Sequence, residues 1–197
     1  MKMTFDEYKC WINKYINNHD TREINFQNDV IKRLLEKLFP NYDIVCVDTK
    51  GCNSKNHNYY AYSGKYTDNG KTKPTTPDLL VCKNWDWYNV NNKNIQYIAT
   101  VEVKSPYGLE AIYKKDYEKY SDKLKLKIST HLEAENIEKI ILTDTFKWEF
   151  YSKENVKYPP IMLVDPIKSG KGYTYKWCDN ADDRFQSLIN FLYEFLK

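Results

Sequence analysis

At 197 residues, the chain is long enough to bury a hydrophobic core as one domain without disulfides or a structural metal. Its net charge of +3, from 30 basic and 27 acidic residues, excludes a global positive field, so nucleic-acid binding would depend on local charge. Five cysteines with no CxxC pair, no apolar leader and no apolar run of about 18 residues together predict a reduced, cytoplasmic protein that neither carries a signal peptide nor spans a membrane.

Helical periodicity marks the N-terminal part of the chain. The Thr-Phe-Asp-Glu sequence at residues 4–7 matches a capping box and predicts a helix over 4–17. A second helix is expected from about Thr21 to Phe39. Glu23 and Gln27 are four residues apart on one face of it and continue its apolar stripe. Alternatively, this is an ordinary first turn in which Glu23 only complements the helix dipole.

The next segment, residues 42–47, predicts a strand, and residues 48–76 form a polar stretch in which lysines and tyrosines are interleaved. That mixture suits contact with phosphates and stacking on bases. It makes Lys65, Lys71 and Lys73 candidate substrate-binding residues. The alternative is a solvated loop, or partly a hairpin, whose composition has no functional meaning.

Two further apolar segments, residues 79–82 and 95–103, predict neighbouring strands. Asp78 stands immediately before the first strand, and Glu102 and Lys104 lie at the end of the second. Because side chains alternate along a strand, Glu102 and Lys104 are expected on one face. Buried carboxylates need partners and are ligands that Mg²⁺ accepts, so Asp78 and Glu102 are candidate metal ligands.

Other roles remain open for these three residues. Asp78 could be a turn residue that precedes a strand. Glu102 and Lys104 could be an exposed pair on a solvated sheet face. If they do form a site, Lys104 could orient or deprotonate an attacking water, or neutralise charge on a phosphate.

The remainder of the chain predicts a helix over residues 113–135, strands at 139–144 and 148–151, and a closing helix at 183–196. Asp144 is interpreted as a turn residue and His131 as a surface residue. The order of elements predicts an α/β fold, a central mixed β-sheet flanked by helices. A strand–helix–strand unit around residues 97–144 predicts a parallel crossover.

With this order of elements, Pro77-Asp78 and Glu102-Val103-Lys104 resemble the signature of the PD-(D/E)xK nuclease superfamily, the restriction endonuclease-like proteins. The strand pair that ends at Tyr151 is similar to one in nuclease domains of type I-like restriction subunits. The resemblance implies a single domain over residues 1–197. Helices 4–17 and 183–196 would then be additions to a core at 21–151.

The resemblance implies a Mg²⁺-dependent DNA endonuclease, with Mn²⁺ able to substitute, in restriction or mobile-element defence. Asp78 and Glu102 would bind the metal, with the backbone carbonyl of Val103 as a third ligand. Lys104 would position or activate the water. Glu23 would complete the catalytic set, through a neighbouring ligand or a second metal.

Gln27 and Ser105 flank this set and are further candidate substrate contacts. The resemblance is also compatible with a homodimer, since many such nucleases pair subunits to cut both strands. Two alternatives stay open. One is a non-catalytic member of the fold that binds DNA or a protein, as an inhibitor or accessory subunit. The other is a nuclease that acts on RNA or branched DNA.

Overall fold

The computed structural model describes residues 3–47, 65–68, 70–74, 76–89, 92–114, 122–154, 156–170 and 172–197. Within these ranges the chain has four helices and a six-stranded mixed sheet, which confirms the predicted mixed α/β class. The helices are α1 (Phe5–Asn17), α2 (three consecutive segments, Glu23–Phe26, Gln27–Lys32 and Arg33–Leu38), α3 (Asp122–Leu132) and α4 (Ala181–Phe195). None of these helices is both long and apolar enough to cross a lipid bilayer.

The strands of the described ranges include those of the central sheet and two separate hairpins. In chain order they are β1 (Asp43–Cys46), β2 (Lys65–Asp68), β3 (Lys71–Pro74), β4 (Leu79–Lys83), β5 (Gln96–Val103), β6 (Lys139–Thr143), β7 (Lys147–Ser152), β8 (Ile161–Met162), β9 (Val164–Ser169) and β10 (Gly172–Trp177). The sheet order is β1-β4-β5-β6-β7-β8. Only β5 and β6 pair in parallel within this sheet, and α3 lies in their connection, as the sequence predicts.

Apolar side chains fill both faces of the sheet, so helices cover it on both sides. Leu79 and Val81 of β4 belong to the cluster that includes α1, α2 and α4. Leu80, one position along, belongs to the cluster beneath α3, with Leu124 and Ile128. Burying each such side chain stabilises the fold by about 2 kcal/mol. This alternation decides which helix each polar residue of β5 faces.

The first two helices lie close to where the sequence predicts them, with one difference inside the second helix. Glu7 donates its backbone N–H to Thr4 Oγ1 at 3.3 Å, which confirms Thr4 as the cap of α1. The Glu7 carboxylate does not return to the cap; it pairs with Lys37 of α2 at 2.6 Å. The difference is the π-helical segment Gln27–Lys32 in the middle of α2, where the hydrogen bonds span five residues instead of four. The spacing of apolar residues does not predict this segment.

Several predicted features are wrong or incomplete. Tyr113 does not begin a helix; it lies in a turn, and its N–H donates to Asp144 Oδ2 at 2.7 Å. His131 is fully buried rather than on the surface, because it lies on the face of α3 turned to the sheet. Strands β8, β9 and β10 were not predicted from the sequence.

The polar stretch before β4 is described only in part. Lys65–Asp68 and Lys71–Pro74 pair as the antiparallel strands β2 and β3, which supports the hairpin alternative for that region. Residues 48–64 of the predicted loop and residues 115–121 of the predicted crossover helix lie outside the described residues.

Candidate active site

The pairing of β4 with β5 brings Asp78 beside Glu102. The strands are antiparallel with Leu79 opposite Val101, so the residue before Leu79 lies next to the residue after Val101. The Val103 N–H donates to Asp78 Oδ2 at 2.7 Å, which fixes the carboxylate at the end of the strand pair.

Glu102 and Lys104 point to the same side of β5, as the alternation predicts. Lys104 Nζ donates to Glu102 Oε1 at 2.7 Å and to the Val103 carbonyl at 2.9 Å. Both side chains are buried, with Glu102 at 1% exposure, so the alternative of an exposed pair on a solvated face is wrong. A buried ion pair of this kind is costly to desolvate, and function is a common reason to retain one.

Helix α2 contributes two further predicted residues to this end of the sheet. Glu23 Oε2 lies 3.6 Å from Lys104 Nζ. Gln27 is buried and donates from Nε2 to the backbone carbonyl of Asp78 at 3.0 Å. In the described structure Gln27 therefore positions Asp78 by holding its main chain. The π-helical segment begins at Gln27, and such segments frequently occur at functional sites.

Lys127 of α3 belongs to this site although the sequence did not predict it there. Its Nζ donates to Glu102 Oε1 at 2.7 Å and lies 2.6 Å from Glu102 Oε2. The same nitrogen lies 3.9 Å from Asp78 Oδ1. The available signal was helical spacing, because Lys127 comes three residues after the buried Leu124. Nothing else separated it from the other lysines of the helix.

The two adjacent carboxylates have opposite pKa shifts. Burial, and after it the neighbouring Glu102 charge, raise the pKa of Asp78 to about 7, although Lys127 and Lys104 act in the opposite direction. Burial also opposes ionisation of Glu102, but Lys127 and Lys104 together hold its pKa below the ordinary value. Glu102 is therefore the permanent anion of the pair, and Asp78 is the carboxylate that changes charge near neutral pH.

Lys104 remains a cation in this arrangement. Burial alone would lower its pKa, but the carboxylates of Glu102, Asp78 and Glu23 together raise it well above the usual range. Burial also raises the pKa of Glu23, with the Glu102 charge acting in the same direction against Lys104. A permanently protonated Lys104 can neutralise an anion or orient a water, but it is a poor proton acceptor.

The other predicted substrate contacts lie beyond the end of β5 and in the hairpin β2–β3. The Ser105 hydroxyl donates to the Thr21 carbonyl at 2.7 Å and accepts the Tyr107 N–H at 3.2 Å, so it ties the end of β5 to the start of α2. Lys65, Lys71 and Lys73 lie in the hairpin β2–β3, whose first strand approaches α3. Lys71 is exposed.

Neither a protein-family model, nor a curated protein, nor a solved structure matches the chain.

Among the described residues, no group of three or more His, Cys, Asp and Glu side chains is placed to hold a metal ion. The donors near Asp78 are two carboxylates and the Val103 carbonyl, a set that suits Mg²⁺, which takes few protein ligands and keeps several waters. The Lys127 ammonium lies between the two carboxylates at 2.6 Å and 3.9 Å. The space between the two carboxylates thus already holds a positively charged group. In charge and in the type of ligand atoms, these residues fit a divalent ion.

Proposed function

We propose that this chain is a Mg²⁺-dependent endonuclease with a PD-(D/E)xK-type core that hydrolyses phosphodiester bonds in DNA. The observation that carries the proposal is the convergence of Asp78, Glu102 and Lys104 at one end of adjacent antiparallel strands. Two carboxylates and a buried ammonium in a short distance match what phosphodiester hydrolysis requires, which is a site for a cation and a fixed positive charge for the phosphate.

Each residue has a separate task in this proposal. Asp78 and Glu102 would hold the divalent ion together with the Val103 carbonyl, an oxygen that also accepts a hydrogen bond from Lys104. When bound, the ion would neutralise charge on the phosphate and lower the pKa of a water molecule, which makes that water a better nucleophile. Lys104 would orient that water and stabilise the developing negative charge. Glu23 would keep the Lys104 ammonium in place.

DNA is the proposed partner, and its backbone is the part that this site would recognise. Lys104 Nζ donates hydrogen bonds to Glu102 and to the Val103 carbonyl, so the third of its three N–H groups could contact one phosphate at the reaction centre. Lys71 of the nearby hairpin is exposed and could contact the flanking backbone. Sequence preference would come from other residues, since contacts to phosphates position a protein without identifying bases.

The proposal is tested by incubating the purified protein with supercoiled, linear, single-stranded and methylated DNA, and with RNA, with and without Mg²⁺. Supercoiled plasmid should be nicked or cut with Mg²⁺ or Mn²⁺ and remain intact with EDTA. Asp78→Ala and Lys104→Ala should each lower the rate by about a hundredfold or more. Matched controls are Asp182→Ala and Lys168→Ala, which remove exposed charges on α4 and β9. Unchanged metal-dependent cleavage by Asp78→Ala would contradict the assignment.

One observation favours a second candidate, a non-catalytic protein of the same fold that binds DNA or a protein. Lys127 already neutralises Glu102 and approaches Asp78, so the carboxylates can be stabilised without a metal. For this candidate we expect DNA or protein binding without cleavage, and no Mn²⁺ bound at millimolar concentration. If the substrate panel instead gives cleavage of RNA or of branched DNA only, the chemistry stands and the substrate changes.

A further inference from the structure

Lys127 occupies the position between the two carboxylates that a divalent ion would need. Its Nζ lies 2.6 Å from Glu102 Oε2, 2.7 Å from Glu102 Oε1 and 3.9 Å from Asp78 Oδ1. The other Asp78 oxygen is already bound to the Val103 N–H, and Glu102 Oε1 also accepts a hydrogen bond from Lys104. The oxygens that remain for a metal are the ones that Lys127 faces.

The Lys127 side chain can turn away from the carboxylates while helix α3 stays in place. The α3 residues Leu124 and Ile128 anchor the helix in the core beneath the sheet, whereas the Lys127 side chain remains 25% exposed. A lysine stem can stay against the protein surface while its ammonium turns towards water. The Lys104 ammonium cannot turn towards water in the same way, because its side chain is only 7% exposed and also donates a hydrogen bond to the Val103 carbonyl.

We infer that Lys127 is an internal counter-cation which competes with the divalent metal for Asp78 and Glu102. The inference rests on the proposed function, since it concerns the metal of that same site. An ammonium and a divalent ion cannot share the space between these carboxylates, because their repulsion at such distances costs several kcal/mol even in a partly screened site. Metal binding therefore requires the Lys127 ammonium to leave Glu102, and the loss of that ion pair weakens the apparent metal affinity.

Lys127 also explains how the site folds without a metal. The cluster contains the three carboxylates of Glu23, Asp78 and Glu102 and the two ammonium groups of Lys104 and Lys127. Without Lys127, Lys104 alone would face three carboxylates, and a buried carboxylate that lacks a partner is costly. The same lysine thus stabilises the metal-free fold and opposes the metal.

The test is a titration of the metal-free protein with Mn²⁺ alone, in the absence of DNA, followed by calorimetry or by the electron paramagnetic resonance signal of free Mn²⁺. Lys127→Met keeps an unbranched side chain, one heavy atom shorter, and removes its charge. It should bind Mn²⁺ at least about tenfold more tightly than the wild type. Lys127→Arg keeps the charge and should bind no more tightly than the wild type.

Two further variants locate the effect. Lys123→Met removes an exposed charge from the same helix and should leave the Mn²⁺ affinity at the wild-type value. Adding Asp78→Ala to Lys127→Met should abolish the gain, which assigns the tighter binding to this site. Circular dichroism of each variant shows that it is folded before its affinity is compared.

The results separate this inference from the proposed function. An unchanged or weaker Mn²⁺ affinity in folded Lys127→Met overturns the competition, whether or not the wild type cuts DNA. A gain that survives Asp78→Ala also overturns it, because the ion then binds elsewhere. If Lys127→Met gains affinity but neither protein cleaves any substrate of the panel, the competition holds and the nuclease function fails.

Discussion

Asp78 and Glu102 lie side by side but depend on different partners. Glu102 binds two ammonium groups, those of Lys104 and Lys127, at 2.6 to 2.7 Å. The Asp78 carboxylate accepts a hydrogen bond from the Val103 N–H, and the Lys127 ammonium lies 3.9 Å from its other oxygen. Glu102 is therefore the electrostatic anchor of the cluster. Asp78 is held mainly by neutral hydrogen bonding and can change its charge at lower cost.

This difference predicts unequal effects of two conservative substitutions on stability. Glu102→Gln should lower the free energy of unfolding by about 3 kcal/mol, because two buried ammonium groups lose their carboxylate. Asp78→Asn should change it by less than about 1 kcal/mol, because the amide oxygen can still accept the Val103 N–H. Urea unfolding at neutral pH measures both values. A larger loss for Asp78→Asn would show that the anchor has been assigned to the wrong residue.

At the scale of elements, the turn between β6 and β7 is organised by a buried carboxylate. Asp144 accepts the backbone N–H groups of Phe146, Lys147 and Tyr113 at 3.1, 2.8 and 2.7 Å. Thr145 within the turn has a φ of 71°, in the left-handed region that a non-glycine residue seldom adopts. The Asp144 side chain therefore fixes the turn. Through Tyr113 it also holds the segment after β5 against this turn.

Asp144 should make stability depend on pH in a direction that is unusual for a carboxylate. Complete burial raises its pKa from 3.8 to about 6, although the main-chain hydrogen bonds oppose the shift. Between these values the folded chain holds a proton that the unfolded chain has released, so this contribution to stability is present at low pH and is lost as pH rises through about 6. The loss is up to about 3 kcal/mol for a shift of this size.

The measurement is the free energy of unfolding of the wild type and of Asp144→Asn, at several pH values from about 4 to about 7. The difference between wild type and variant cancels the other titrating groups that both proteins share. As pH rises, the wild type should lose stability relative to Asp144→Asn, by up to about 3 kcal/mol. Parallel curves would mean that Asp144 titrates normally in the folded chain.

These elements also mark how far sequence could predict the structure. Alternation along a strand predicts the common face of Glu102 and Lys104, and the antiparallel order predicts Asp78 beside them. The π-helical segment of α2 is not predictable in this way, because its residues have ordinary helical spacing. Lys127 was missed because helical spacing gives the face of a residue, whereas its partner on β5 depends on how α3 lies across the sheet.

At the scale of the whole molecule, the first and last helices are continuous with the core of the sheet. Tyr8 of α1 stacks on Phe185 of α4 with ring centroids 4.8 Å apart, and its hydroxyl donates to the Thr145 carbonyl at 2.8 Å. Phe195 of α4 packs edge-on against Phe150 of β7 at 5.1 Å. Periodicity predicts both helices but not these contacts, which depend on how α1 and α4 pack against each other and against the sheet.

The last prediction tests whether α1, α4 and the sheet unfold together. Phe185 is 2% exposed and packs against Tyr8 and Phe5, so Phe185→Ala should lower the free energy of unfolding by about 4 kcal/mol through lost burial and a cavity. Asn190→Ala, at an exposed position of the same helix, should change it by less than about 0.5 kcal/mol. Because one hydrophobic cluster joins the helices to the sheet, tryptophan fluorescence and circular dichroism should follow a single transition in urea. Two separated transitions, with the sheet outlasting the helices, would instead make α1 and α4 independent of the core that holds Asp78 and Glu102.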